Sequence, residues 1–313
     1  MDTLELLRRV RASAIDSSTV DALDITVQQL CCDYAYADAH ELMKNGRNWL
    51  SRMIELLGHR LTLSQHRDIL NRAGVLALLV GCVEYDTGQS RTAEATRRMA
   101  MDLGKESGEP DVTGWSHEMS AWFHLTTGNY RAVIAAAEAG EHAAPSRSVA
   151  VQLFAQEAKA WARMGDKGKV LETLEKGRRL LDSLPYPERP DNHFVVDPDK
   201  WDYYEMDCYR IVGEDSAAKQ TAQEVIRKSV GSDGVLTAPM RNTEAQLTLG
   251  VLAAREGDID EAAALGIQAL QTGRQSRPSL LMVGSELEQE LKTYGPNAGA
   301  DFRRVFNDIR AAS

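Results

Sequence analysis

Leu247–Ala269 reads LTLGVLAAREGDIDEAAALGIQA, and the glycine in its middle decides the fold. On either side of Gly257, apolar and small residues recur at spacings of three and four, the period of a helix face. Glycine ends a helix in a left-handed conformation that other residues adopt only at a cost. The chain past Gly257 is therefore expected to fold back antiparallel to the segment before it. The same layout stands at Gly88-Gln89-Ser90, Gly128-Asn129-Tyr130, Gly165-Asp166-Lys167 and Gly213-Glu214-Asp215, with intervals of 40, 37, 48 and 44 residues up to Gly257.

Three offsets repeat around these turns. Five residues after each glycine come Ala93, Val133, Val170, Ala218 and Ala262; twelve after come Ala100, Gly140, Gly177, Val225 and Ala269. Seven before come Gly81, Ala121, Ala158, Met206 and Gly250. Small residues at such positions let helix axes approach near the close end of the usual range, about 8–10 Å. One helical hairpin cannot bury its own apolar face, so neighbours must stack. Unrelated helix ends in a bundle would explain each glycine singly, but not five turns with shared offsets.

The pattern extends outward. Thr19–Tyr36, Glu41–His59 and Ser64–Tyr85 read as helices upstream, and Ser279–Thr293 with Ala300–Ala311 as a closing pair. Alternating strand patterns are almost absent, which predicts an all-α chain. The expectation is one α-α superhelix of about seven hairpins over residues 1–313: N-terminal helices at 1–62, clear repeats at 63–275 and capping helices at 276–313. Two segments interrupt it. Leu184–Lys200 (LPYPERPDNHFVVDPDK) carries four of the nine prolines and cannot be a regular helix. Gly231–Pro239 (GSDGVLTAP) is shorter.

Composition excludes several functions. Hydrophobic residues at 43% and charged residues at 26% exclude disorder, collagen and a disulfide scaffold. With 36 Lys and Arg against 46 Asp and Glu, the formal charge of −10 speaks against nucleic-acid binding, which needs a basic face. No apolar run approaches the roughly 20 residues of a membrane span, and MDTLELLRRVR at the start has no apolar core like a signal peptide. Cys31, Cys32, Cys82 and Cys208 lack metal or redox spacing, which fits reduced thiols in a cytoplasm.

The turn layout resembles the tetratricopeptide repeat. Trp161 and Tyr209, four residues before their turn glycines, stand at that motif's aromatic position. A more specific resemblance rests on NHFVVDPDKWDYYEMDCYR (Asn192–Arg210), GED (Gly213–Asp215), PMR (Pro239–Arg241), LGVLAAREGD (Leu249–Asp258) and RPSLLMV (Arg277–Val283). LLVGCVEYDTG (Leu78–Gly88), HEMSAWFHLTTGNYRAVIAAAEAG (His117–Gly140) and AQEAKAWARMGD (Ala155–Asp166) join them. These strings resemble the repeat region of Streptomyces-type XRE-family (helix-turn-helix) transcriptional regulators, from about Leu4 to the C-terminus. The resemblance implies a sensor region that acts on a DNA-binding head and usually dimerises. Only Met1 to about Asp16 precedes the recognisable sensor residues, and there Arg8, Arg9 and Arg11 balance Asp2, Glu5 and Asp16. DNA binding is therefore not expected of this chain itself.

Catalytic and metal motifs are missing from the sequence. His117 and His124 are seven apart, not the four of a helical zinc pair, and no third ligand is placed. The acidic run Asp197, Asp199, Asp202, Glu205, Asp207 lacks the glycine and terminal glutamate of a calcium loop. No cofactor, metal or enzymatic activity is expected.

Binding is the better expectation. The first helix of each pair should line the concave wall, and its polar face supplies the candidates. Asn71 comes from the first clear repeat; His117, Glu118 and Trp122 from the second; Gln156 and Lys159 from the third. Tyr203, Tyr204, Asp207 and Arg210 come from the fourth, and Arg241 and Glu244 open the fifth. Arginine suits a carboxylate, and Tyr and Trp give contact area at little entropic cost. A peptide, a small-molecule signal or a protein partner would fit such a groove. The Pro-rich segment is either a spacer fixed by Phe194 and Val196 or a lid that brings His193 to the ligand. A constitutive protein–protein scaffold is the alternative function, and an enzyme recruited from this fold the weaker one.

Overall fold

The computed structural model describes residues 13–311; of the charges that balance at the start of the chain, Asp2, Glu5, Arg8, Arg9 and Arg11 lie outside the described residues, while Asp16 caps the first helix. Fourteen helices are present among them, in seven consecutive pairs. The pairs are α1 (Ser17–Asp33) and α2 (Ala39–Leu57), α3 (Leu63–Asp86) and α4 (Ser90–Ser107), α5 (Pro110–Thr126) and α6 (Tyr130–Ala143). Then follow α7 (Ser148–Arg163) and α8 (Lys167–Ser183), α9 (Pro198–Ile211) and α10 (Asp215–Lys228). The last are α11 (Pro239–Glu256) and α12 (Ile259–Leu270), α13 (Arg277–Lys292) and α14 (Ala300–Ala311). The single β-type pairing among the described residues is an isolated bridge from Val230 to Leu236. The chain is an all-α superhelix of stacked hairpins.

The turn glycines work as their spacing requires. Gly88, Gly128, Gly165, Gly213 and Gly257 have φ of +84°, +76°, +79°, +76° and +88°, each ending the first helix of a pair. All fifteen residues at the three shared offsets are buried. At Gly177 the approach is closest: a Cβ there would stand 2.1 Å from Cη2 of Trp201, so α8 and α9 pack where no side chain fits.

The first pair departs from the expected hairpin. α1 and α2 touch each other little, and each packs mainly on α3. The contact is again a glycine: a Cβ on Gly46 would lie 2.6 Å from Cγ2 of Val80.

From α1 to α11 the first helix of each pair packs on the next, forming an inner layer. α13 then turns inward, packing on α11 and also reaching α3 and α5. The two ends of the superhelix meet. Arg274, just before α13, pairs with Asp86 at 2.8 Å, and Asp86 also accepts from the Tyr34 hydroxyl at 2.7 Å. Nε1 of Trp122 donates to Oγ of Ser279 at 3.2 Å, and Met282 packs with Ala121 and Leu125.

The Pro-rich segment crosses the same space. His193 N donates to the carbonyl of Cys31 at 3.1 Å, and Asn192 Nδ2 to Gln28 Oε1 at 2.6 Å. Phe194 meets Trp115 edge-on at 5.3 Å between centroids, while Val196 N donates to Ser148 Oγ at 2.7 Å. The segment therefore spans from α8 back to α1 and is anchored at several points.

Candidate functional site

The inner helices do not leave an open trough. α13 lies along part of their wall, and what remains is a cavity of about 130 Å³ where most of them converge. Tyr34 and Ala35 enter from the end of α1, Glu118, Trp122 and Leu125 from α5, and Gln152, Gln156 and Lys159 from α7. Asp191 and His193 come from the Pro-rich segment, and Lys200, Tyr203 and Tyr204 from α9. Met240, Arg241 and Glu244 of α11 and Ser279 and Met282 of α13 complete the wall. The helical repeat explains the grouping, since Gln152, Gln156 and Lys159 recur at one face of α7.

Its polar chemistry is uneven. Glu118 accepts from Nε2 of both Gln152 and Gln156, each at 2.7 Å. Burial pushes its carboxyl up, against the pull of those two amides. Lys200 lies at the start of α9, where Asp197 caps the helix. Its ammonium donates to the carbonyls of His193 at 2.6 Å and Val195 at 3.0 Å. Burial, with Arg241 nearby, brings its pKa down to about 7. His193 is buried against Tyr34, ring centroids 3.8 Å apart. Burial and then Lys200 hold it well below the usual histidine range, so it is neutral. Burial likewise raises Glu244, although Lys159 opposes the effect.

Nine of the thirteen residues singled out in the sequence border this cavity: Glu118, Trp122, Gln156, Lys159, His193, Tyr203, Tyr204, Arg241 and Glu244. Four do not. Asn71 is half-buried on α3, and His117 sits against Gly140 at the α5–α6 contact, where burial lowers its pKa. Asp207 and Arg210 are fully buried in an ion-pair cluster instead. Asp207 pairs with Arg210, with Arg163 at 3.1 Å and with Lys159 at 3.6 Å. Glu286 of α13 takes Arg163 at 3.1 Å and Arg210 at 2.9 Å. Against the cost of burial, Arg163 and Arg210 hold the Asp207 carboxyl well below the usual range. These charges fasten α13 to α7 and α9.

The Pro-rich segment packs on the stack and also borders the cavity. It is a spacer held by Phe194 and Val196, and it also places His193 and Asp191 in the cavity wall. Sequence reading missed Gln152, Lys200, Tyr34, Met240 and Met282. Gln152 had a signal, standing one turn before Gln156 on the same face. Tyr34 and Met282 had none, since they lie in helices read as flanking the repeats.

A second, outer cavity of about 520 Å³ adjoins the first. The two share Ala35, Asp191, Ala238 and Arg241, which form a neck between them. Among the described residues no group of three or more His, Cys, Asp or Glu is placed to hold a metal ion. No described helix is long and apolar enough to cross a membrane. No family model matches the chain, and no curated protein matches it.

Proposed function

We propose that this chain is a sensor-type binding module for a small molecule, held in the inner cavity at the centre of the superhelix. One observation carries the reading: helices from both ends of the chain, α1 and α13 included, contribute to one mixed aromatic and polar wall. A void of about 130 Å³ is near the size of an engineered cavity of about 150 Å³ that takes up benzene. That size suits a compact molecule, or one end of a larger one, rather than a peptide laid along the groove.

A ligand there touches α5, α7, α9, α11 and α13 together, so it stabilises the closed superhelix over any form in which α13 swings out. That is the two-state element a sensor needs. The resemblance to the repeat region of Streptomyces-type XRE regulators supports the same role, with the output passed to a DNA-binding partner or head. The packing of α13 across the inner face favours a sensor over a constitutive scaffold, whose partner would need that face open.

The test is a fragment screen by ligand-observed NMR, repeated on an Ala35→Trp variant that blocks the cavity at its neck. Hits should raise the melting temperature of the parent protein by mass action and lose binding in the variant. Hits that bind the blocked protein equally well would overturn the proposal.

A further inference from the structure

Four charged side chains border the inner cavity with no opposite charge within 4.0 Å among the described residues: Glu118 and Glu244, Lys200 and Arg241. Charges removed from water without a partner are costly, so such a wall stays ionised most readily when a ligand supplies complementary groups. The wall carries both signs, and Lys200 and Lys159 both act on Glu118.

At the inner end, the glutamine amides have only one sensible orientation. Both Nε2 groups donate to Glu118, which can only accept when ionised, so both Oε1 atoms point elsewhere. Those two oxygens are buried and accept no hydrogen bond, on side chains that are 5% and 4% exposed. Unmade hydrogen bonds at buried acceptors are unfavourable, and native proteins rarely leave two together. Gln152 and Gln156 therefore ask for a donor, and the adjoining carboxylate favours a cationic one.

At the neck, Arg241 makes no hydrogen bond or ion pair with the described residues. A half-buried guanidinium offers five donors in a fork that matches a carboxylate. Asp191, which also lines the neck, is already held by Arg189 at 3.2 Å. Trp122, Tyr204 and Met282 add apolar surface to the same wall.

We propose that the cavity takes a small zwitterion of the amino-acid type, with its ammonium group at Gln152, Gln156 and Glu118 and its carboxylate on Arg241. The inference rests on the small-molecule reading above and names the ligand class for that site. The cavity volume restricts the side chain to a short or compact one. The outer cavity provides the approach, past Arg241.

The experiment uses the twenty common amino acids together with matched one-ended compounds. Valine is set against isobutylamine and isovalerate, leucine against isoamylamine and 4-methylpentanoate, and any other hit against its own amine and acid. Melting shifts find the hits, and calorimetric titration measures them. At least one amino acid should bind, with both one-ended counterparts weaker by about tenfold or more. Arg241→Met should weaken the amino acid and its acid counterpart but leave the amine unchanged; Gln156→Met should do the reverse. If an amine or an acid binds as tightly as its amino acid, the zwitterion is overturned while the small-molecule cavity stands. If amines or acids shift melting and no amino acid does, the outcome is the same. If no compound of any class shifts it, both readings fall.

Discussion

The outer turns and the inner closure of this superhelix are built by opposite means. Around Gly88, Gly128, Gly165, Gly213 and Gly257 the structure is periodic and local: a left-handed glycine and buried, mostly small residues at fixed offsets, with the charges of the turns at the surface, as in the pair of Lys167 and Glu214. Where α13, Tyr34 and the Pro-rich segment meet, it is aperiodic, long-range and ionic. Arg274 reaches Asp86 across 188 residues of sequence, and Arg163 reaches Glu286 across 123. Shape builds the stack, and charge closes it. The difference teaches that the two can be broken separately, because a steric fault in a hairpin threatens the whole fold while a fault in the closure should free one helix.

The largest effect should come from the outer part. Placing any Cβ at Gly177 puts an atom 2.1 Å from the Trp201 ring, which is itself fully buried and hemmed in. Overpacking typically costs about 1–3 kcal/mol and occasionally more, and Gly177→Val should reach the top of that range in urea unfolding. Gly168, on the same helix α8, is exposed, and a Cβ there meets only Asp166 Oδ1 at 3.5 Å. Gly168→Ala should stabilise by up to about 1 kcal/mol, since alanine is the better helix residue. Equal effects at the two sites would refute close approach as the organising device.

The closure should give way more selectively. Arg274 and Asp86 have side chains 6% and 0% exposed. Removing one partner of a buried pair leaves the other uncompensated, at about 3–5 kcal/mol, whereas replacing both by apolar groups is often neutral. Arg274→Met should therefore cost about 3 kcal/mol, and Asp86→Leu combined with Arg274→Met should recover much of it. Hydrogen exchange separates closure from stack. Amides of α13 should exchange faster in the single variant, while those of α5 and α6 stay protected. Uniform acceleration along the chain would mean that the ends are not an independent element.

How much of this could be read in advance follows the same division. The five turn glycines and their offsets were legible because each depends on neighbours within one hairpin. For the inner wall, the helix period placed Glu118, Gln156, Tyr203, Tyr204 and Arg241 on the inward face, and the structure brings them to one cavity. Asp207 and Arg210 lie on that face too, but α13 covers them, and nothing in the sequence around Glu286 says that this helix turns inward. The weak pairing of α1 with α2 was equally hidden, since the contact that decides it is between Gly46 and Val80 of the next pair. Periodicity tells which face is buried; it does not tell what buries it.

The smallest effect concerns a flaw in the outer layer, where most charges sit in exposed pairs one turn apart, such as Lys176 with Glu172 at 2.9 Å. Such pairs contribute little. Glu141 near the end of α6 is different: its Oε1 is buried without a hydrogen-bond partner. Burial, then the neighbouring Glu157, raises its pKa from 4.5 to about 7. Because the folded form holds the proton more tightly than the unfolded chain, the native state gains at low pH. That contribution is present in full below about pH 4.5 and disappears as the pH rises through 7. Glu141→Gln removes the titration, so its benefit should appear only above that window. At pH 8 it should add about 1 kcal/mol, allowing for solvent screening of a partly exposed carboxylate, and at pH 4.5 almost nothing. Melting temperatures of both proteins from pH 4.5 to 8 check the sign: curves that run parallel would show that this carboxyl is ordinary, and that the outer layer carries no strained charge at all.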